Sequence, residues 1–178
     1  MKKLFLAACI VFFATALLFA SGKSESADDI SDNSASFDSI SLSWEVSDSE
    51  ILFTLAAETT GWVSVGFNPS QVMKDAQFII GYVNASGEVE IRDDYGNGMF
   101  SHAPDTNAGG TDDIRLISGR ESDGWTELVF ALPIDSGDRY DSPLTPGETH
   151  KVLLAHGPDN KDDFRTTHSF RTSFNVQF

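Results

Sequence analysis

The chain has 178 residues, with 12 Lys and Arg against 27 Asp and Glu, for a formal net charge of −15. That length suits one domain, and that charge argues against nucleic acid and anionic lipid as partners, since both need a positive surface. Cys9 is the only cysteine, which excludes an internal disulfide and, once the leader that carries it is removed, thiolate metal sites and cysteine nucleophiles.

Residues 1–20, MKKLFLAACIVFFATALLFA, place two lysines ahead of an apolar run ending at Ala20. This is the pattern of a secretory signal peptide, with small residues at a cleavage point near Ala20 and Ser21. The run is also long enough to stay as an uncleaved anchor. LAAC around Cys9 fits a lipobox only superficially, because a largely apolar stretch of eleven residues still follows it. Losing Lys2 and Lys3 with the leader takes the net charge from −15 to −17. The expected location is exported: periplasmic, extracellular or tethered to the cell surface, with no membrane span after cleavage. Residues 21–38, SGKSESADDISDNSASFD, are serine and acid with little to bury, and read as a flexible tether.

From residue 39 to 178 the pattern is that of strands. SISLSWEV (39–46) and EILFTLAAE (50–58) alternate about a polar break. GWVSVGF (61–67) follows, with Trp62, Ser64 and Gly66 on one face and Val63, Val65 and Phe67 on the other. AQFIIGYV (76–83) and GEVEIRDDY (87–95) flank a turn, and a polar, Gly-rich excursion occupies 96–112. DIRLISGRE and WTELVFALP are joined by a short turn as a hairpin. GETHKVLLAHG (147–157) and TSFNVQF (172–178) complete the set. No segment holds a helical period over three turns. The fold class is all-β, an antiparallel sandwich of about 8–10 strands.

Catalytic signatures are missing. There is no G-x-S-x-G elbow, no H-E-x-x-H and no P-loop, so catalysis by the domain itself is not expected. The pairs Asp93-Asp94, Asp112-Asp113 and Asp162-Asp163 read as turn residues. A calcium loop built from DDYGNG or DTNAGGTDD lacks EF-hand spacing. His102 sits in the polar excursion and reads as solvated. His150 and His156 are six apart on one strand and share a face. His168 lies in the loop before the last strand. Met73 stands in the loop after GWVSVGFNPS, where a methionine has two readings, a plug over the end of the sandwich or a soft metal ligand.

FTLAAETTGWVSVGFNPSQVMKDAQFIIGYV, with VEIRDDYGNGMFSHAPD, DGWTELVFALPIDSGDRYDSPLTPGETHKVLLAHG and HSFRTSFNVQF in that order, resembles the DOMON domain over about residues 39–178. The resemblance implies an immunoglobulin-like β-sandwich holding a ligand between its sheets at one end. In the haem-binding branch, which includes the cytochrome domains of cellobiose dehydrogenases and the haem subunits of ethylbenzene dehydrogenases, it implies haem b held by Met73 and His168. A thioether opposite an imidazole closes both axial positions and raises the potential, which suits one-electron transfer to a redox partner protein or a membrane cytochrome. Phe78, Tyr82 and Phe170 are candidate wall residues, with Trp62 and Phe164 beside them, although aromatic residues near strands are more often simple core. The chain departs from the family pattern by placing His156 in the A-x-G strand, which opens His156 with His168 as an alternative axial pair. No C-x-x-C-H is present, so covalent attachment of haem is excluded. The other reading of the resemblance is a haem-free module that binds a carbohydrate or a protein.

Overall fold

The computed structural model describes residues 29–178. The leader at 1–20 and the first part of the tether, 21–28, lie outside the described residues. Twelve strands are present: β1 (Asp29–Ile30), β2 (Ser34–Phe37), β3 (Ile40–Val46), β4 (Glu50–Ala57), β5 (Val63–Phe67), β6 (Gln77–Val83), β7 (Val89–Gly98), β8 (Ser101–Pro104), β9 (Arg115–Ser122), β10 (Trp125–Pro133), β11 (Thr149–His156) and β12 (Phe170–Gln177). They form two six-stranded sheets, in the orders β1-β2-β3-β4-β10-β9 and β12-β11-β5-β6-β7-β8. Every pairing is antiparallel. The molecule is the all-β sandwich expected from the alternating pattern.

The layers close on one apolar core. Ile51, Phe53 and Leu55 of β4 and Leu128, Phe130 and Leu132 of β10 meet Val63, Val65 and Phe67 of β5 and Val152 and Leu154 of β11. Phe53 is the hub, with its ring centroid 5.3 Å from Phe67 and 5.6 Å from Phe130. In a two-layer sandwich each strand buries alternate residues, and β4 does so along its whole length. β5 is different: all five of its residues are buried. Its second face must therefore also be covered, and chain segments folded over the outside of the second sheet do this.

The tether is shorter than the composition suggested. Residues 34–37 form β2, paired with β3 from Ser34↔Ser43 to Phe37↔Ile40. Ala35 and Phe37 are buried in the core, Phe37 with its ring 5.0 Å from Phe174. Two apolar residues at strand spacing are enough to seat this segment, because backbone pairing with β3 supplies the rest. Asp93 and Asp94 are also not turn residues. They lie within β7, opposite Ile79 and Phe78 of β6, and both are buried. Among the described residues no helix is long and apolar enough to cross a membrane.

Candidate functional site

A cavity of about 640 Å³ lies against the outer face of the second sheet, away from the core. Its floor is the set of side chains pointing outward from β5, β6 and β11: Ser64, Phe78 and Ile80, Leu153 and Ala155. In register Ser64 faces Ile80 and Ala155, while Gly66 faces Phe78 and Leu153. Phe78 covers Gly66 so closely that a Cβ there would stand 2.4 Å from its ring. The position expected for a ligand, between the sheets, is thus corrected. The space between the sheets is filled by core side chains, and the opening is on the far side of one sheet. That volume is within the range of small-molecule and cofactor sites.

Three segments wall the cavity. The first is the loop between β5 and β6, which brings Val72 and Met73 to it. The loop is tightly held: Ser70 N–H donates to the Lys74 carbonyl and Lys74 N–H to the Gln71 carbonyl, both at 2.8 Å. Asp75 accepts from Tyr95 Oη at 2.7 Å and from Ser70 Oγ, and these bonds hold its carboxyl below the usual range. Asn68, Val72 and Asp75 all have positive φ, at 51°, 52° and 64°. A β-branched residue in that region is strained, and such strain collects at binding sites. Gly96 of β7 backs the loop, where a Cβ would lie 1.9 Å from the Met73 carbonyl oxygen.

The second wall is the segment between β11 and β12, which contributes Phe164, Arg165 and His168. Asp163 shapes it by accepting the N–H groups of Arg165 and Thr166, both at 2.7 Å. Ser169 N–H donates to the His156 carbonyl at 2.9 Å, which pins the chain next to His168. Phe164 packs against Tyr82 with the rings tilted at 48° and centroids 5.0 Å apart, and lies under the Arg92 guanidinium at 4.0 Å. Tyr82 therefore supports a wall residue from behind.

The third wall is β8 with the turn before it, which bring His102 and Phe100. His102 Nδ1 contacts Asp94 Oδ2 at 2.5 Å, and Arg92 donates to the same oxygen at 2.6 Å. Asp94 is wholly buried. A carboxylate that fixes one ring nitrogen leaves the other for a ligand. His102 is therefore an oriented cavity residue and not the solvated one expected. Lys151, Arg165 and Arg171 line the cavity too, and among the described residues no Asp or Glu does, in a chain where acids outnumber bases more than two to one. Trp62 completes the lining, buried, with an indole N–H that has no partner.

Of the residues named from sequence, Met73, His168, Phe78, Trp62 and Phe164 come together at this cavity. His156 and Phe170 do not. They pair across β11 and β12 and stack with centroids 5.6 Å apart on the opposite face of the sheet, toward the core. His156 is 6% exposed, and both ring nitrogens are engaged, Nε2 with Ser39 Oγ at 2.8 Å and Nδ1 with the Gly157 carbonyl at 2.9 Å. It shares that face with His150, as their even spacing required, so the alternative axial pair of His156 and His168 is set aside.

Comparison with known proteins follows the geometry. Residues 36–157 match the DOMON domain family. DBH-like monooxygenase protein 2 of Mus musculus is 28% identical over 120 residues, covering 67% of this chain and 19% of its own length. DBH-like monooxygenase protein 1 of Homo sapiens is 27% identical over 137 residues, covering 73% and 22% respectively. The chain thus spans about a fifth of the length of these relatives. The cytochrome domain of Myriococcum thermophilum cellobiose dehydrogenase has a similar fold, with a TM-score of 0.55 at 12% identity over 78% of this chain and 74% of that one. On the extent of the family match, the chain belongs to the DOMON domain family.

Proposed function

We propose that this domain binds haem b without a covalent link, through Met73 and His168, and serves as an exported one-electron transfer module. The observation that carries the proposal is that a thioether and an imidazole 95 residues apart in sequence line one apolar cavity. The remaining lining fits the group. Trp62, Phe78, Ile80 and Phe164 offer flat apolar surface to a porphyrin, and Lys151, Arg165 and Arg171 suit its two carboxylates. When bound, haem supplies a one-electron couple. Met73 and His168 would hold the iron, and the aromatic walls would keep water from it, which suits electron transfer. The acidic exterior suits docking to a basic surface on a redox partner protein or membrane cytochrome. The similar cytochrome domain in cellobiose dehydrogenase agrees with this reading at the level of fold.

A second arrangement has a specific observation behind it. His102 is aimed by Asp94 in the way a metal-binding imidazole usually is, which makes His102 a rival to Met73 as the partner of His168. Absorption spectra of the purified protein with haemin, oxidised and dithionite-reduced, decide between them. A sharp reduced α-band lost in Met73→Ala and in His168→Ala, but kept in His102→Ala, supports the first pair. Loss in His102→Ala with Met73→Ala unaffected supports the second. If haemin produces no Soret shift, the haem reading fails, and a glycan array becomes the next test of the same cavity.

A further inference from the structure

Asp93 and Asp94 are neighbours in β7, so their side chains leave opposite faces of the sheet. Asp94 goes to the cavity. Asp93 turns inward, to the rim of the core, where it meets Asp105 from the 3₁₀ turn after β8 and Asp141 from the loop between β10 and β11. One carboxylate oxygen from each lies within 4.8 Å of the others. Asp93 is 3% exposed and Asp105 0%. Neither oxygen of either residue has a hydrogen-bond partner of normal geometry, nor does Asp141 Oδ1. Only the backbone N–H groups of Asp113 and Thr106 come near enough to favour the charged forms of Asp93 and Asp105. Asp141 Oδ2 accepts from Ser136 Oγ at 2.7 Å. No Lys, Arg or His forms an ion pair with any of the three among the described residues.

Four buried, unbonded oxygens on two side chains are not what a folded protein tolerates without compensation. A buried carboxylate is normally paired, hydrogen-bonded or bound to a metal. We infer that Asp93, Asp105 and Asp141 form a binding site for one hard divalent cation, calcium in preference to magnesium or zinc. The donors are oxygen alone, without the imidazole or thiolate that zinc selects. Calcium accepts several carboxylates directly in irregular geometry, whereas magnesium keeps most of its waters. The approach of Gly110 is part of the site, since a Cβ there would stand 2.4 Å from Asp105 Oδ2. Nearby Asp138 is already used, accepting from Thr111 N at 2.6 Å and Tyr140 N at 2.8 Å, and so braces the loops around the cluster. Without a cation, burial and then repulsion from neighbouring aspartates push the carboxyls upward: Asp93, facing Asp141 and Asp105, to about 9, and Asp105 and Asp141, both facing Asp138 and Asp113, to about 6. The cluster is independent of the haem cavity, because it lies on the other face of β7.

The test uses the whole chain without haem, stripped with a chelator, and reads both calorimetric binding and thermal unfolding. Calcium chloride at millimolar concentration should raise the melting temperature and titrate to one ion per chain, with magnesium chloride giving a much smaller shift. Asp93→Asn and Asp105→Asn should abolish the calcium response while leaving the chelated protein at least as stable as the parent, since each removes an orphaned carboxylate. Asp141→Asn, at a half-buried position, should weaken the response and serves if the first two variants do not fold. No binding heat and no melting shift in the parent chain would overturn the inference. So would a full calcium response in Asp93→Asn or Asp105→Asn.

Discussion

Replacing Gly96 with alanine isolates the role of the loop that carries Met73. Gly96 does not have positive φ among the glycines of the chain, so alanine meets no backbone penalty there and its whole effect is steric. The new Cβ would stand 1.9 Å from the Met73 carbonyl oxygen and 2.9 Å from its carbon. Real Cβ atoms do not come within 3.0 Å of such neighbours, so the carbonyl must retreat by about 1.1 Å. That shift opposes the 2.8 Å bonds from Asp75 N–H to the Gly96 carbonyl and from Gly96 N–H to the Ala76 carbonyl. Overpacking of this kind costs about 1–3 kcal/mol. In a chain of this size each kcal/mol lowers Tm by about 2–4 °C, so the expected fall is about 2–12 °C. If Met73 holds the iron as proposed, displacing its backbone by this much should loosen or break that bond, because metal–ligand distances vary little. Gly96→Ala should therefore stay folded by circular dichroism and reproduce the haem spectrum of Met73→Ala. A wild-type spectrum alongside a lowered Tm would refute Met73 as a ligand. An unchanged Tm would refute the packing argument itself.

Other expectations follow from the same geometry. Phe37→Ala should destabilise the chain by about 3–5 kcal/mol, the usual cost of an emptied aromatic core position; urea unfolding would measure it, and a negligible change would put residues 34–37 back in the tether. His156→Ala should lower stability in the same assay, because Ser39 Oγ loses its partner, yet leave haemin binding by titration unaltered. In the chelated protein, stability should fall as pH rises from about 4 to about 9. The raised carboxyls of Asp93, Asp105 and Asp141 keep protons in the folded chain that the unfolded chain has already released above 3.8, and the state that holds more protons is the one disfavoured by raising pH. The part due to Asp105 and Asp141 should be complete near pH 6 and that of Asp93 near pH 9. Melting temperatures across this range, with no downward trend, would contradict the burial of these groups.

Much of this architecture was legible because a sandwich strand writes its burial in alternate letters. β3 to β7 and β9 to β12 each carry that alternation or an apolar run, and all lie close to where the pattern put them. β1, β2 and β8 read DI, SASF and SHAP, too short and too polar to show an alternation, and owe much of their place to backbone pairing with a neighbour, which leaves little trace in side-chain type. The same alternation could have sorted the histidines. His156 has the parity of Val152 and Leu154, which is the core parity of β11, so its orientation was readable before any coordinates. Asp93 likewise has the parity of Val89 and Ile91. What concealed it was its chemistry, since adjacent aspartates look like a turn. His102 was hidden differently: its partner Asp94 is near in sequence, but only the bulged pairing of β7 with β8 turns the two toward each other.

The position of the cavity outside the sandwich divides labour within single strands. In β5, residues 63, 65 and 67 hold the fold together while 64 faces the cavity and 66 lies beneath Phe78 on the same side, and β6 and β11 split in the same way. Selection can therefore redraw the recognition surface one letter at a time and leave the interleaved letters that secure folding untouched. A domain organised like this can vary its cavity between relatives without passing through an unfolded ancestor.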